Sequence, residues 1–146
     1  DEQYRENGQW EAKGSYDNGE KEGPWESFHS NGELDEKGTY RNGEKDGGWE
    51  SYWQAGKLKE RGTDDNGIKK GTWEEYYDNG QLEHVHTFDA GKENGPYENY
   101  GRDGELLIKG QHRKGKMDGT WEYYDKEGEL ERKSAWKEGR FMGKIN

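Results

Sequence analysis

Five glutamates stand at a fixed interval, Glu26, Glu50, Glu74, Glu98 and Glu122, each directly after an aromatic residue. Carboxylates brought together in pairs are common general acids and bases, so this column is the first place to look for catalysis. A two-residue turn at Asn31-Gly32, repeated along the chain, would set Glu26 opposite Lys37, Glu50 opposite Arg61, Glu98 opposite Lys109, Glu122 opposite Lys133 and Glu2 opposite Lys13. Only Glu74, opposite Val85, lacks a cation in that register. A cross-strand charge pair contributes roughly 0.2 to 1 kcal/mol, and a carboxylate so engaged is structural. A three-residue loop with a bulge would instead shift every pair by one. The glutamates are therefore read as a ladder, and no catalytic residue is assigned.

His84 and His86 alternate, so on a strand both imidazoles point the same way, and Asp64 or a glutamate would be needed to complete a metal site. No third ligand follows at a recognisable spacing, and no metal site is assigned. There is no Ser/His/Asp arrangement within a local motif, no phosphate-cradling loop and no cofactor fingerprint between a strand and a helix. The reading is non-enzymatic, without a cofactor.

These residues have to be positioned by short elements. Trp25, Trp49, Trp73, Tyr97 and Trp121 are spaced by 24 residues, and three residues after each comes Phe28, Tyr52, Tyr76, Tyr100 or Tyr124. Tyr4 holds the same place in a first, partial copy. Each unit has two turns. One reads Asn31-Gly32, Ala55-Gly56, Asn79-Gly80, Asp103-Gly104 and Glu127-Gly128, each followed after one residue by Leu. The other, half a period away, reads Asn18-Gly19, Asn42-Gly43 and Asn66-Gly67, then Ala90-Gly91, Lys114-Gly115 and Glu138-Gly139. Asn-Gly between strand-like runs signals a hairpin, because both central residues of a type I′ turn need positive φ. Helix is disfavoured: the recurrent glycines cost about 1 kcal/mol each inside one. The expectation is an all-β, single-layer, elongated antiparallel meander of about six 24-residue hairpins, some twelve strands, forming one domain over residues 1–146.

In that meander Trp25 would face Gly38, Trp49 Gly62 and Trp121 Ser134, each ring covering the backbone opposite it. Alternation puts Trp25, Leu34 and Tyr40 on one face and Phe28 on the other. The position after the Phe/Tyr column varies, reading His29, Trp53, Tyr77, Gly101 and Asp125. His29, Trp53 and Tyr77 would line up on the Trp face beside Leu34, Leu58 and Leu82. These aromatics are not demanded by the repeat, so His29, Trp53, Tyr77, Leu58 and Leu82 form the candidate partner-binding surface.

Composition narrows the partner. Only 25% of the 146 residues are hydrophobic and 38% are charged, with a net charge of −10, yet 14% are aromatic, which argues against a disordered chain. The acidic balance disfavours nucleic acid and anionic membranes, no Lys/Arg cluster stands out, and a protein with a basic surface is the expected partner. No run nears the roughly 18 apolar residues of a membrane span, and the opening Asp1-Glu2-Gln3 predicts no signal peptide in this sequence. Without cysteine there is no disulfide framework, and both bacterial cytoplasm and a secreted or periplasmic compartment fit.

The pattern Gly-x-Trp-Glu-x-Tyr-x-x-Asn-Gly-x-Leu, followed by Gly-x-Tyr-x-Asn-Gly-x-x-x-Gly, resembles the MORN-repeat variant of bacterial proteins often labelled antitoxin-like, from Tyr4 to Gly143. That resemblance implies a twisted antiparallel sheet used for protein contacts and, in some members, neutralisation of a toxin, so an antitoxin or immunity role is expected. MORN repeats proper are associated with membranes and phospholipids, which the acidic charge here disfavours. Gly119-Thr120-Trp121-Glu122-Tyr123-Tyr124 is also similar to the choline-binding wall repeats of secreted bacterial proteins. Those have a period nearer 20 residues, so a carbohydrate- or choline-binding cell-wall module stands as the alternative.

Overall fold

A computed structural model describes residues 1–146. Its strands are β1 (Glu2–Tyr4), β2 (Trp10–Asp17), β3 (Glu20–Phe28), β4 (Leu34–Arg41), β5 (Glu44–Tyr52), β6 (Leu58–Asp65), β7 (Ile68–Tyr76) and β8 (Leu82–Asp89). They continue as β9 (Lys92–Glu93), β10 (Gly95–Tyr100), β11 (Leu106–Arg113), β12 (Lys116–Met117), β13 (Gly119–Tyr124), β14 (Leu130–Lys137) and β15 (Arg140–Ile145). All fifteen join one open antiparallel sheet in sequential order. The expected count of twelve misses a half-strand at the start, and it misses two strands that break at Asn94 and Asp118. There the backbone N–H groups of Asn94 and Asp118 turn to the carbonyls of Thr87 and Gln111, at 2.7 and 3.1 Å.

The two turns differ, although both contain Asn-Gly. Asn18, Asn42 and Asn66 all have φ of 49°, each followed by a positive-φ glycine, so these are two-residue type I′ turns. At the other edge Asn31 has no positive φ, Gly32 has φ 88°, and Gly32 N–H donates to the His29 carbonyl at 2.9 Å. Of the two loops the sequence allows, that is the three-residue one, a type I turn closed by a glycine bulge.

The expected register survives nonetheless. Phe28 pairs with Leu34, but Ser27 pairs with Glu36, because an extra residue is accommodated in β4 beside the turn. The longer loop and the bulge offset each other, so Trp25 does face Gly38, Glu26 faces Lys37, Trp49 faces Gly62 and Trp121 faces Ser134. The bulge also reverses alternation for the residues beyond it. Leu34, Leu58 and Leu82 pair with Phe28, Tyr52 and Tyr76, and therefore lie on the face opposite Trp25, Trp49 and Trp73. The expectation that these leucines share the Trp face is corrected accordingly.

Burial is concentrated in the Trp column: Trp25, Trp49, Trp73 and Trp121 are the only buried hydrophobic residues, between 2% and 6% exposed. Each ring lies over a glycine, but of the preceding strand and not of the one expected. A Cβ added at Gly14, Gly38, Gly62 or Gly110 would overlap the ring of Trp25, Trp49, Trp73 or Trp121 respectively. Trp25 and Trp73 are fixed there by their indole N–H groups, which donate to the carbonyls of Ser15 and Thr63 at 3.0 and 3.1 Å, beside register jumps in β2 and β6. The outer faces of the rings are covered by ammonium groups, Lys21 over Trp25 at 4.6 Å, Lys45 over Trp49 at 3.9 Å and Lys69 over Trp73 at 4.2 Å.

This packing makes the glycines unequal. Gly62→Ala should destabilise the sheet by about 1 to 3 kcal/mol, since the new methyl group must displace the Trp73 ring. Gly48, in the same strand layer, has open space where a Cβ would go, and Gly48→Ala should change stability by no more than about 0.5 kcal/mol. Urea unfolding of the two variants measures the difference.

Candidate functional site

The Glu column occupies the face opposite the tryptophans, and its surroundings account for its charge. Tyr4, Tyr52, Tyr76, Tyr100 and Tyr124 each donate a hydroxyl hydrogen bond to the glutamate two residues earlier, Glu2, Glu50, Glu74, Glu98 and Glu122. That bond, ahead of the nearby lysine, holds the Glu50 and Glu122 carboxyls below the usual range. It also pushes the Tyr100 phenol up to about 12.

The ion pairs run differently from the expected ladder. Lys13 bridges to Glu26 and Lys37 to Glu50, both at 3.4 Å, across the type I′ hairpins. Arg61 bridges to Glu74 at 2.9 Å, so the glutamate expected to lack a cation has the shortest of these pairs. A strand in a sheet has two neighbours, and opposite each glutamate the register offers a residue on either side. Among the expected pairs only Glu122 and Lys133 close to an ion pair inside their own hairpin, at 3.5 Å.

The variable column forms a clasp. His29 meets the Tyr52 carbonyl at 2.8 Å, the Trp53 indole N–H donates to the Tyr76 carbonyl at 3.1 Å, and the Tyr77 hydroxyl donates to the Tyr100 carbonyl at 2.7 Å. Arg5, in phase with them one repeat earlier, donates to the Phe28 carbonyl at 2.8 Å. The repeat thus does make a demand at this position, contrary to the premise on which the three aromatics were singled out. It asks for a polar tip that reaches the next hairpin and leaves the body of the side chain free to vary. The ladder ends at Gly101, which has no side chain. His29, Trp53 and Tyr77 are half-buried, and their bodies line the three-residue turn edge. Lys59 sits 4.8 Å from the Trp53 ring centroid, Arg102 5.2 Å from that of Tyr77, and Asp35 3.4 Å from the His29 ring. Leu58 and Leu82 are on the other face and do not join this surface.

A second constellation was not legible as a site. In the fourth repeat three columns change together: His86 replaces the glycine seen at Gly14, Gly38 and Gly62, Tyr97 replaces the Trp, and Glu93 replaces the covering lysine. His112 similarly stands in the column of Tyr16 and Tyr40. The strands bring these residues together. His86 Nδ1 lies 2.5 Å from Glu93 Oε1, and its Nε2 lies 3.6 Å from Glu75 Oε2. His112 Nε2 lies 3.5 Å from Glu93 Oε2. His84 turns instead to the Tyr97 hydroxyl at 2.9 Å. The arrangement does not form a metal-binding group of three or more ligands. Asp64, considered as a partner to these histidines, is buried at 5% exposure in the Tyr column, and burial raises its pKa against the pull of Lys45 and Lys69.

Comparison with known families rests on the repeat. Residues 21–42, 69–90 and 117–138 each match the MORN repeat variant. In these three stretches the chain is similar to that repeat. The three matched segments begin 48 residues apart, two of the 24-residue periods, so they fall on alternate hairpins of the array with identical phase. The intervening hairpins share the same turns and strand pairings. No curated protein matches the chain significantly.

Two outcomes follow from this electrostatic layout. Glu75 and Glu93 hold the His86 imidazolium, raising its pKa above the ordinary value, whereas burial lowers that of His112. A raised pKa in the fold stabilises the array below the unfolded value of about 6.5, and that stabilisation is lost as pH climbs through the folded value. For His112 the sign is opposite, and its stabilisation is lost as pH falls below about 6.5. His86→Gln should therefore flatten the fall in melting temperature on the alkaline side, and His112→Gln the fall on the mildly acidic side, in thermal scans across pH. Separately, Glu50→Gln and Glu122→Gln should each cost no more than about 1 kcal/mol in urea unfolding, because each is a half-exposed ladder member that keeps a hydrogen-bonding side chain.

Proposed function

We propose that this MORN array is a non-enzymatic protein-binding scaffold, and that its partner meets the three-residue turn edge around His29, Trp53 and Tyr77. The carrying observation is that the polar tips of these side chains are satisfied inside the fold while their bodies remain half-exposed. Such a side chain presents apolar area whose ordering cost has been met before the partner arrives. Trp and Tyr are also the residues most enriched where binding energy concentrates. Carboxylates outnumber cations along the edge, Glu33, Asp35, Asp78, Glu83 and Asp103 against Lys57, Lys59 and the Arg102 that pairs with Asp78, so a basic surface is the complementary partner and would be steered toward it. An antitoxin or immunity role, in which the array masks a basic toxin surface, is the finer form of the same reading.

The carbohydrate- or choline-binding alternative draws less support. A choline cage needs open aromatic faces, and in this sheet Trp25, Trp49 and Trp73 already carry lysine ammonium groups on theirs. Saturable quenching of Trp fluorescence by millimolar choline would reverse that judgement.

The test separates contact from packing. Trp53→Ala removes one hydrogen bond and a half-exposed ring, and should lower stability by about 1 kcal/mol. Its effect on a partner copurified from the native source should be a loss of about 1 kcal/mol of affinity or more. Trp73→Ala, emptying the most buried column position, should cost about 3 kcal/mol or more of stability. Calorimetric titration of the copurified partner with Trp53→Ala, showing unchanged affinity, would reject this surface.

A further inference from the structure

We propose that the type I′ turn edge at the C-terminal end of the array, formed by Arg113, Lys114, Lys116, Lys137 and Arg140, is a second docking ridge, and that it takes a short acidic segment of a protein partner. This surface is distinct from the His29, Trp53 and Tyr77 edge and does not depend on that reading.

The first observation is a column that changes sign. The residue after each type I′ turn reads Glu20, Glu44, Ile68, Lys92, Lys116 and Arg140 along the sheet. Each of the first five side chains lies against the glycine of the next turn, Glu20 at Gly43, Glu44 at Gly67, Ile68 at Gly91, Lys92 at Gly115 and Lys116 at Gly139. They form one continuous row, acidic at one end and basic at the other. Residues 106–146 hold ten Lys and Arg against seven Asp and Glu, while residues 1–105 hold thirteen against twenty-six.

The second observation is that the basic end is built against local stability. Arg113 is directly opposite Lys116, and Lys137 is directly opposite Arg140, although like charges in that relation repel. Lys114 holds a φ of 50° at the position that Asn occupies in the first three turns, a conformation unfavourable for a residue with a long side chain. Elsewhere along the edge Arg41 is neutralised by Asp46 at 3.2 Å and Lys70 by Asp65 at 3.7 Å, while Lys92, the next cation of the row, is unpaired like the ridge itself. All five ridge cations are exposed and none forms an ion pair. Glu138 shares the last turn, and Asp118 is occupied in accepting the Glu138 backbone N–H at 3.2 Å.

The size of the ridge selects the occupant. It crosses the four strands β11, β12, β14 and β15, about 15 Å at the usual strand spacing. A duplex or an anionic bilayer would run past it onto the carboxylate-rich remainder of the sheet and be repelled. A short acidic peptide segment ends where the ridge ends. The sequence conceals the cluster because its two halves are 24 residues apart, and the meander sets them side by side through the Gly139 N–H bond to the Met117 carbonyl at 2.9 Å.

The experiment is fluorescence anisotropy of labelled hexaglutamate with the whole chain at low ionic strength. The wild type should bind saturably, and the double variant Arg113→Glu and Lys116→Glu should bind at least tenfold more weakly. Lys57→Glu on the opposite edge should change binding less than twofold. The double variant keeps a like-charge pair and should melt near the wild type. The single change Arg113→Glu turns repulsion into attraction and should raise the melting temperature. No binding by the wild type, or an equal loss in Lys57→Glu, overturns the proposal. So does a short DNA duplex that binds more tightly than the peptide and depends on Arg113 and Lys116, or self-association of the wild type that the double variant abolishes.

Discussion

A single-layer sheet has no second layer to bury its apolar face against, and everything in this chain follows from how it meets that constraint. The solution is contact between the ring of Trp25, Trp49, Trp73 or Trp121 and the bare backbone of a glycine on the preceding strand. The glycine admits the ring to a depth that a Cβ would forbid, so a ring is buried without a partner sheet. The lysine stem that closes over the outer face completes the enclosure where Lys21, Lys45 and Lys69 are present. Each repeat therefore carries its own small core, made of parts contributed by adjacent strands, and each repeat depends chiefly on its neighbours.

The fourth hairpin shows what happens when that contact is given up. His86 fills the space kept open by glycine elsewhere, the aromatic partner becomes Tyr97, and the covering lysine becomes Glu93. The carbonyl that would hold an indole N–H is used instead by the backbone of Asn94. In the fifth hairpin Trp121 returns to a glycine, but the Gln111 carbonyl is taken by Asp118, and the Trp121 indole N–H is left buried without a partner. Apolar burial is replaced at this point by a set of imidazole and carboxylate groups that respond to pH. The array is uniform in backbone and not in chemistry.

In the proposed reading, function is a matter of edges more than of faces. Both faces are committed, one to the tryptophans and the other to the Glu, Tyr and Lys ladder. The two rows of turns are where side chains are free to vary without disturbing the sheet. One row carries half-exposed aromatics among carboxylates, and the other passes from acidic to basic.

The period, the two turns, the antiparallel meander and even the pairing of Trp25 with Gly38 and Glu26 with Lys37 could be read from the chain, because spacing and glycine placement are local properties. The reading succeeded partly through compensation. A three-residue loop and a bulge together restored the register that a two-residue loop would have produced, yet the same bulge moved Leu34, Leu58 and Leu82 to the opposite face. Sequence alone also defined the candidate aromatics His29, Trp53 and Tyr77, but not that their tips reach the following hairpin. What only tertiary structure decided is which of two neighbours a residue uses. Every interior strand has a partner on each side, and a sequence can state that Trp49 lies between Gly38 and Gly62, or Glu74 between Arg61 and Val85, without stating the choice. The direction in which side chains lean, set by twist and by the bulges, placed Trp49 on Gly38, gave Glu74 to Arg61 and gathered Arg113, Lys116, Lys137 and Arg140 along one edge.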